Sequence, residues 1–198
     1  MPNFRFYLSG FLFVGLLMLA GCTPDPREGR DVQYIGGTTG GASPGYDNVS
    51  YWDGDKMSGP PSVKISLSEQ KAYFYKGDQL AGISWISTGR EGKNTVTGSY
   101  HIIQKDKDHR SSVYGDYVDA NNKVVQKDVE KGKDPVPPGA HFLGSAMPNF
   151  MRIVGGTGMH EGFLPGVPAS HGCIRMPGYM ALHFFDSVSV GTPVTIEP

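Results

Sequence analysis

From residue 62 onward, apolar side chains fall on every second position. Val63, Ile65 and Leu67 alternate with Lys64 and Ser66, Ala72-Tyr73-Phe74-Tyr75 leads into Gly77-Asp78, and Ile83-Ser84-Trp85-Ile86 carries the chain back. A period of two gives a strand one apolar face and gives a helix none, so the segment predicts a three-strand meander. Residues 98–103 continue it after a polar turn at 89–94, and shorter strands are predicted at 142–145, 151–154 and 194–197. One helix is predicted after Pro177, with Met180, Phe184 and Val188 on one face and Gly191 just past its end. With 28 Gly and 15 Pro, about 22% of 198 residues against an ordinary 12%, a helix bundle is a poor candidate. The architecture is mainly β with one or two short helices.

Charge narrows the function classes. Lys and Arg total 18, Asp and Glu 19, and the net charge is −1 with no basic half, so there is no footprint for a polyanion and nucleic acid is excluded as a partner. Hydrophobic residues at 38% suffice for one core. Residues 105–134 interrupt the strands with 7 basic and 7 acidic residues, a density that predicts a solvated hairpin insertion. The functional alternative is a lid, with Tyr114 and Tyr117 beside Gly115 contacting substrate.

The N-terminus carries one charge, Arg5, then an apolar run from Phe11 to Ala20, then Leu19-Ala20-Gly21-Cys22. That is the layout of an export signal over 1–21. Counted from Tyr7 the run is 14 residues, below the roughly 18 to 20 needed to cross a bilayer. Cys22 after two small residues resembles the bacterial lipoprotein box, in which the cysteine is acylated and becomes the new N-terminus. The protein would then be anchored to a membrane through its N-terminal lipid, and Thr23 rather than aspartate favours the outer membrane where one exists. Residues 22–61 form a lipidated Gly/Pro-rich linker, since 23–61 hold 8 Gly and 5 Pro without apolar periodicity. Its aromatics Tyr34, Tyr46, Tyr51 and Trp52 are expected to pack on the next domain rather than to form a sugar-binding strip. The folded domain is expected over 62–198.

Two cysteines outside the cytoplasm ordinarily form a disulfide. Acylation of Cys22 removes the partner, and Cys173 becomes a free thiol in an oxidising compartment, for which nucleophilic chemistry is the commonest reason. Around it stand Gly158-Met159-His160-Glu161-Gly162 and Ser170-His171-Gly172-Cys173-Ile174-Arg175-Met176. A thiol becomes a nucleophile when an imidazole takes its proton, and a loop of this length can return His160 to Cys173. Gly172 allows a sharp turn that aims amide N–H groups at a developing oxyanion. A zinc site of His160, His171 and Cys173 is a competing reading, though the usual short ligand pairs are missing. His101, His109, His141 and His183 are expected to be surface or capping residues.

Ser-His-Gly-Cys-Ile-Arg with an upstream Gly-x-His resembles the signature of the L,D-transpeptidase catalytic domain, the YkuD-type domain. Ser87-Thr88-Gly89 and Thr95-Val96-Thr97-Gly98-Ser99-Tyr100 resemble the segment before its central strand, with Val96 where many members have proline. The loop from His160 to Ser170 is shorter than in many members, which leaves acceptor choice open. The resemblance implies a β-sandwich-like fold, Cys173 as acyl-accepting nucleophile and His160 as its base. It implies that the Glu161 backbone carbonyl orients the imidazole, and that His171 and Gly172 shape the oxyanion pocket. Ser170 and Arg175 are expected at the substrate, Arg175 either on a stem-peptide carboxylate or in a structural ion pair. The implied reaction is acyl transfer between peptidoglycan stem peptides, with no cofactor and with carbapenem-type inhibitors. The alternatives are a hydrolase on the same Cys/His site (L,D-carboxypeptidase or amidase), a zinc hydrolase, and a non-catalytic wall-binding module.

Overall fold

The computed structural model describes residues 47–198. The expected export signal, Cys22, Tyr34, Tyr46 and the expected linker up to residue 46 lie outside the described residues. In chain order the elements are β1 (Tyr51–Trp52), a 3-10 turn (Gly54–Lys56), β2 (Pro61–Ser66), β3 (Lys71–Lys76), β4 (Gln79–Trp85), β5 (Gly98–His101), β6 (Gln104–Asp106), β7 (Arg110–Val118) and β8 (Val124–Glu130). There follow β9 (His141–Ala146), β10 (Phe150–Val154), β11 (Thr157–Glu161), β12 (Ile174–Met176), α1 (Gly178–Ser187) and β13 (Pro193–Glu197).

The predicted meander is β2, β3 and β4, paired antiparallel, and the alternation buries Val63, Ile65, Ala72, Phe74 and Ala81 on one face. β13 returns to lie parallel to β2 and carries β5 on its other side, so the first sheet runs β1-β4-β3-β2-β13-β5. A second sheet runs β12-β11-β10-β6. Its Met151, Ile153, Met159, Ile174 and Met176 share one core with the meander and with Met180, Ala181, Phe184 and Val188 of α1 and its end. Two sheets and a helix over a common core are the sandwich-like mainly β architecture expected. Phe74 meets Phe184 edge-on at 5.0 Å, a contact worth about 1 kcal/mol beyond burial.

The folded domain begins before residue 62. β1 pairs with β4, Trp52 opposite Gly82, and the indole packs edge-on against Phe74 at 4.9 Å and stacks on His183 at 5.0 Å. A Cβ on Gly82 would stand 2.7 Å from the indole, so this glycine makes the seat. Trp52 Nε1 donates to Asp55 at 2.8 Å and the Trp85 amide to Ser50 Oγ at 2.8 Å. Trp52 is thus a core-packing residue and the linker boundary moves back into 47–51.

Residues 105–134 are also more than a solvated insertion. β6 pairs with β10, and β7 lies between β8 and β9 in a third sheet. Tyr117, Val118 and Val129 are buried there, apart from the main core. The expected substrate contact by Tyr117 is corrected: it is 1% exposed and its hydroxyl donates to the Asp134 carbonyl at 3.0 Å. The charges occupy the outer faces, and their number hid the apolar positions between them.

Candidate active site

Ser87-Thr88-Gly89, which leaves the end of β4, is a strap along the cysteine loop. Ser87 and Arg175 exchange backbone hydrogen bonds of 3.0 Å, the amides of Ala169 and Ser170 donate to the Thr88 carbonyl, and the Arg90 amide donates to the Ser170 carbonyl. Thr88 is itself held by Gln70, which receives its amide at 3.0 Å and donates to its hydroxyl at 2.8 Å. Gly89 is required by close approach, since a Cβ would sit 2.0 Å from the Lys93 carbonyl oxygen. Thr95 Oγ1 accepts from the Gly89 amide and donates to the Gly172 carbonyl, both at 2.9 Å. Val96 in place of proline leaves this clamp intact, because the clamp is made by Thr95.

Within the loop, Ser170 Oγ donates to the Cys173 carbonyl at 2.5 Å and accepts from the Gly172 amide at 3.0 Å. Ser170 is 1% exposed, so it shapes the turn before the cysteine and does not reach substrate, contrary to expectation. Gly172 adopts φ +117, a conformation side chains resist, but its amide is already given to Ser170. It sets the turn before Cys173, and its own amide is not one of those left to face an oxyanion.

His160 lies on β11, which pairs parallel with β12 in the register Met159 to Ile174 and His160 to Arg175. Paired residues share a face, so His160 and Arg175 lie on one side of the sheet, and Cys173 immediately precedes β12. His160 Nδ1 donates to the Glu161 carbonyl at 2.6 Å, which leaves the Nε2 lone pair free. The Glu161 carboxylate is elsewhere, 2.9 Å from where a Cβ on Gly178 would stand at the start of α1. The imidazole leans on Phe150 at 6.3 Å, and Phe150 is stacked from behind by His109, itself bonded to Asp106 at 2.9 Å. His109 is therefore packed behind the site rather than a surface residue.

Burial sets the protonation states. It lowers the His160 pKa from 6.5 to about 4, and it raises that of Cys173 against a smaller opposing effect of the Gly158 amide and Arg175. Cys173 is a free thiol, partly exposed, 3.5 Å from the Gly156 carbonyl. The resting pair is thus thiol and neutral imidazole rather than thiolate and imidazolium.

Tyr114 of β7 stands at the rim, its ring stacked on His171 at 4.1 Å. Arg90 Nη2 donates to His171 Nε2 at 2.9 Å, and Lys93 donates to the Tyr114 hydroxyl at 3.2 Å and lies 3.8 Å from the Glu130 carboxylate. Arg90 and Lys93 were not singled out in the sequence, where they are two cations in a polar turn; their only signal is that they follow Ser87-Thr88-Gly89. The Arg175 guanidinium makes no ion pair among the described residues, its stem packs over Gly162, and burial lowers its pKa. Among the described residues no three His, Cys, Asp or Glu converge on a metal position. The ring nitrogens that zinc would need on His160 and His171 are in part committed, to Glu161 and Arg90.

The site thus holds a partly exposed thiol, a buried neutral imidazole and a strapped Ser-His-Gly-Cys turn. Residues 60–196 match the YkuD family, the L,D-transpeptidase catalytic domain, and the chain belongs to that family. It is 26% identical over 141 residues to "Putative L,D-transpeptidase YqjB" of Bacillus subtilis (strain 168), covering 71% of this chain and 73% of that one. In fold it is similar to an L,D-transpeptidase from Mycobacterium smegmatis, with TM-score 0.52 and 16% identity over 70% of this chain and 59% of that one. It is likewise similar to an LD transpeptidase solved in complex with imipenem, with TM-score 0.51 and 19% identity over 69% and 58%. The chain spans about three fifths of the length of these solved structures.

Proposed function

We propose that the protein is a cysteine-dependent peptidoglycan L,D-transpeptidase. The observation that carries this reading is the His160 Nδ1 to Glu161 carbonyl bond, which leaves Nε2 as the ring nitrogen with a lone pair, on a strand paired with the one that Cys173 leads into. Cys173 Sγ attacks the carbonyl between the diamino acid and the terminal D-alanine of a tetrapeptide stem, and its proton passes to His160 Nε2. The imidazolium returns that proton to the departing D-alanine amine as the C–N bond breaks, leaving a thioester. An acceptor amine then attacks the thioester, gives its proton to His160, and restores the thiol. The chemistry needs no cofactor.

Arg175, without an ion pair among the described residues, is suited to a carboxylate of the stem peptide, and Tyr114 to the rim of the same site. Carbapenems present Cys173 with a strained acyl carbon, and the imipenem complex of a protein with this fold supports that expectation. Export and acylation at Cys22 would hold the enzyme on the envelope face of a membrane.

The test is mass analysis of products from a purified tetrapeptide muropeptide with and without an added amine. Loss of D-alanine with capture of the amine is expected, abolished in Cys173→Ala and slowed about 10²- to 10⁴-fold in His160→Ala. Release of D-alanine with water as the sole acceptor would favour the hydrolase. Loss of activity to a chelator with recovery on adding zinc would overturn the thiol mechanism.

A further inference from the structure

We propose that Arg90 is a positioning residue that fixes His171 as a neutral imidazole protonated on Nδ1, and that this N–H is the side-chain donor to the acyl oxygen of the substrate at Cys173. The second half rests on the acyl-transfer reading above; the first half does not. A guanidinium has five donors and no acceptor. The 2.9 Å contact from Arg90 Nη2 to His171 Nε2 therefore requires a lone pair on Nε2, and a neutral ring with that lone pair carries its proton on Nδ1.

The ring is fixed in two further ways. Tyr114 lies against its face at 4.1 Å and 22°, and Tyr114 is held by Lys93 from the same turn that supplies Arg90. Partial burial first, and then the nearby Arg90, Lys93 and Arg175 charges, oppose a second proton on the ring. Nδ1–H has no protein partner among the described residues, and His171 stands two positions before Cys173. His160 and His171 thus carry their proton on the same nitrogen and expose opposite edges. His160 gives its N–H to the backbone and offers a lone pair, whereas His171 gives its lone pair to Arg90 and offers an N–H. The Gly172 amide is bonded to Ser170, so it is not the donor at this place.

The experiment is a long-range proton–nitrogen correlation spectrum of the full chain labelled with nitrogen-15 histidine, the His171 signals being assigned by their loss in His171→Asn. At neutral pH His171 should show a protonated Nδ1 and an unprotonated Nε2. In Arg90→Ala the ring should move toward the Nε2-protonated form, and carbapenem acylation should slow about tenfold. Arg90→Lys, which keeps a donor, should restore the tautomer and most of the rate. Asparagine places an N–H near the Nδ1 position without needing Arg90, so adding Arg90→Ala to His171→Asn should cost nothing further. An Nε2-protonated His171 in the unaltered chain, or an Arg90→Ala spectrum with the tautomer unchanged, overturns the proposal. Because the spectrum needs no substrate, inactivity on peptidoglycan would end the transpeptidase reading and leave the tautomer assignment standing.

Discussion

His160 resists protonation because its ring is buried between β11 and Phe150 while its Nδ1–H is already given to a carbonyl. In the unfolded chain the same imidazole titrates near 6.5; in the fold it does so at about 4. Between those values the unfolded chain binds a proton that the folded chain refuses. The contribution of His160 to stability is therefore intact above pH 6.5 and lost as pH falls toward 4, by about 3 kcal/mol in full. Denaturant melts at pH 7, 5 and 4 should show that slope, and it should flatten in His160→Gln. The rate of Cys173 acylation should keep its acid limb near 4 as well, since a protonated His160 has no lone pair to offer. An acid limb near 6.5 would mean the ring is solvated. The Gly-x-His segment and the Ser-His-Gly-Cys turn were legible in the sequence as motifs, since His160 and Cys173 are 13 positions apart. Arg90 was not, because nothing distinguishes a cation that holds a ring from one that faces water.

At the scale of elements, legibility followed the strength of the local pattern. β2, β3 and β4 alternate cleanly, and α1 has Met180, Phe184 and Val188 one turn apart, so both were readable. β1 has two residues and no period, and its place is set by Gly82 and by the indole of Trp52, which are partners across the sheet. β7 and β8 were obscured by charge, although Tyr117, Val118 and Val129 supply them with buried residues of their own. The parallel pairing of β11 and β12 follows from the loop between them and not from either strand's residues. Placement of β1 can be checked directly. A chain starting at residue 47 should melt like the full protein, whereas one starting at 62 loses Trp52 and should be destabilised by about 3 kcal/mol, as should Trp52→Ala. Equal melting of the two truncations would return 47–61 to the linker.

Across the whole molecule, the site is assembled from distant parts of the chain. The strap comes from the end of β4, the proposed base from β11, the proposed nucleophile from the turn before β12, and the rim from β7. All of these lie within the described residues. Residues 23–46 have the composition of a tether, and 24 residues of such a chain span about 27 Å, shorter than the roughly 35 Å that a linker reaching residue 61 would give. Lipidation at Cys22 would therefore confine the enzyme to a shell close to the membrane without touching its chemistry. Cys22→Ala should release the protein into the soluble fraction, while its melting temperature and its rate of acylation by a carbapenem stay unchanged. A variant that remains with the membranes would end the lipid-anchor proposal. A variant that is released but acylated more slowly would mean that the N-terminal segment contributes to the site after all.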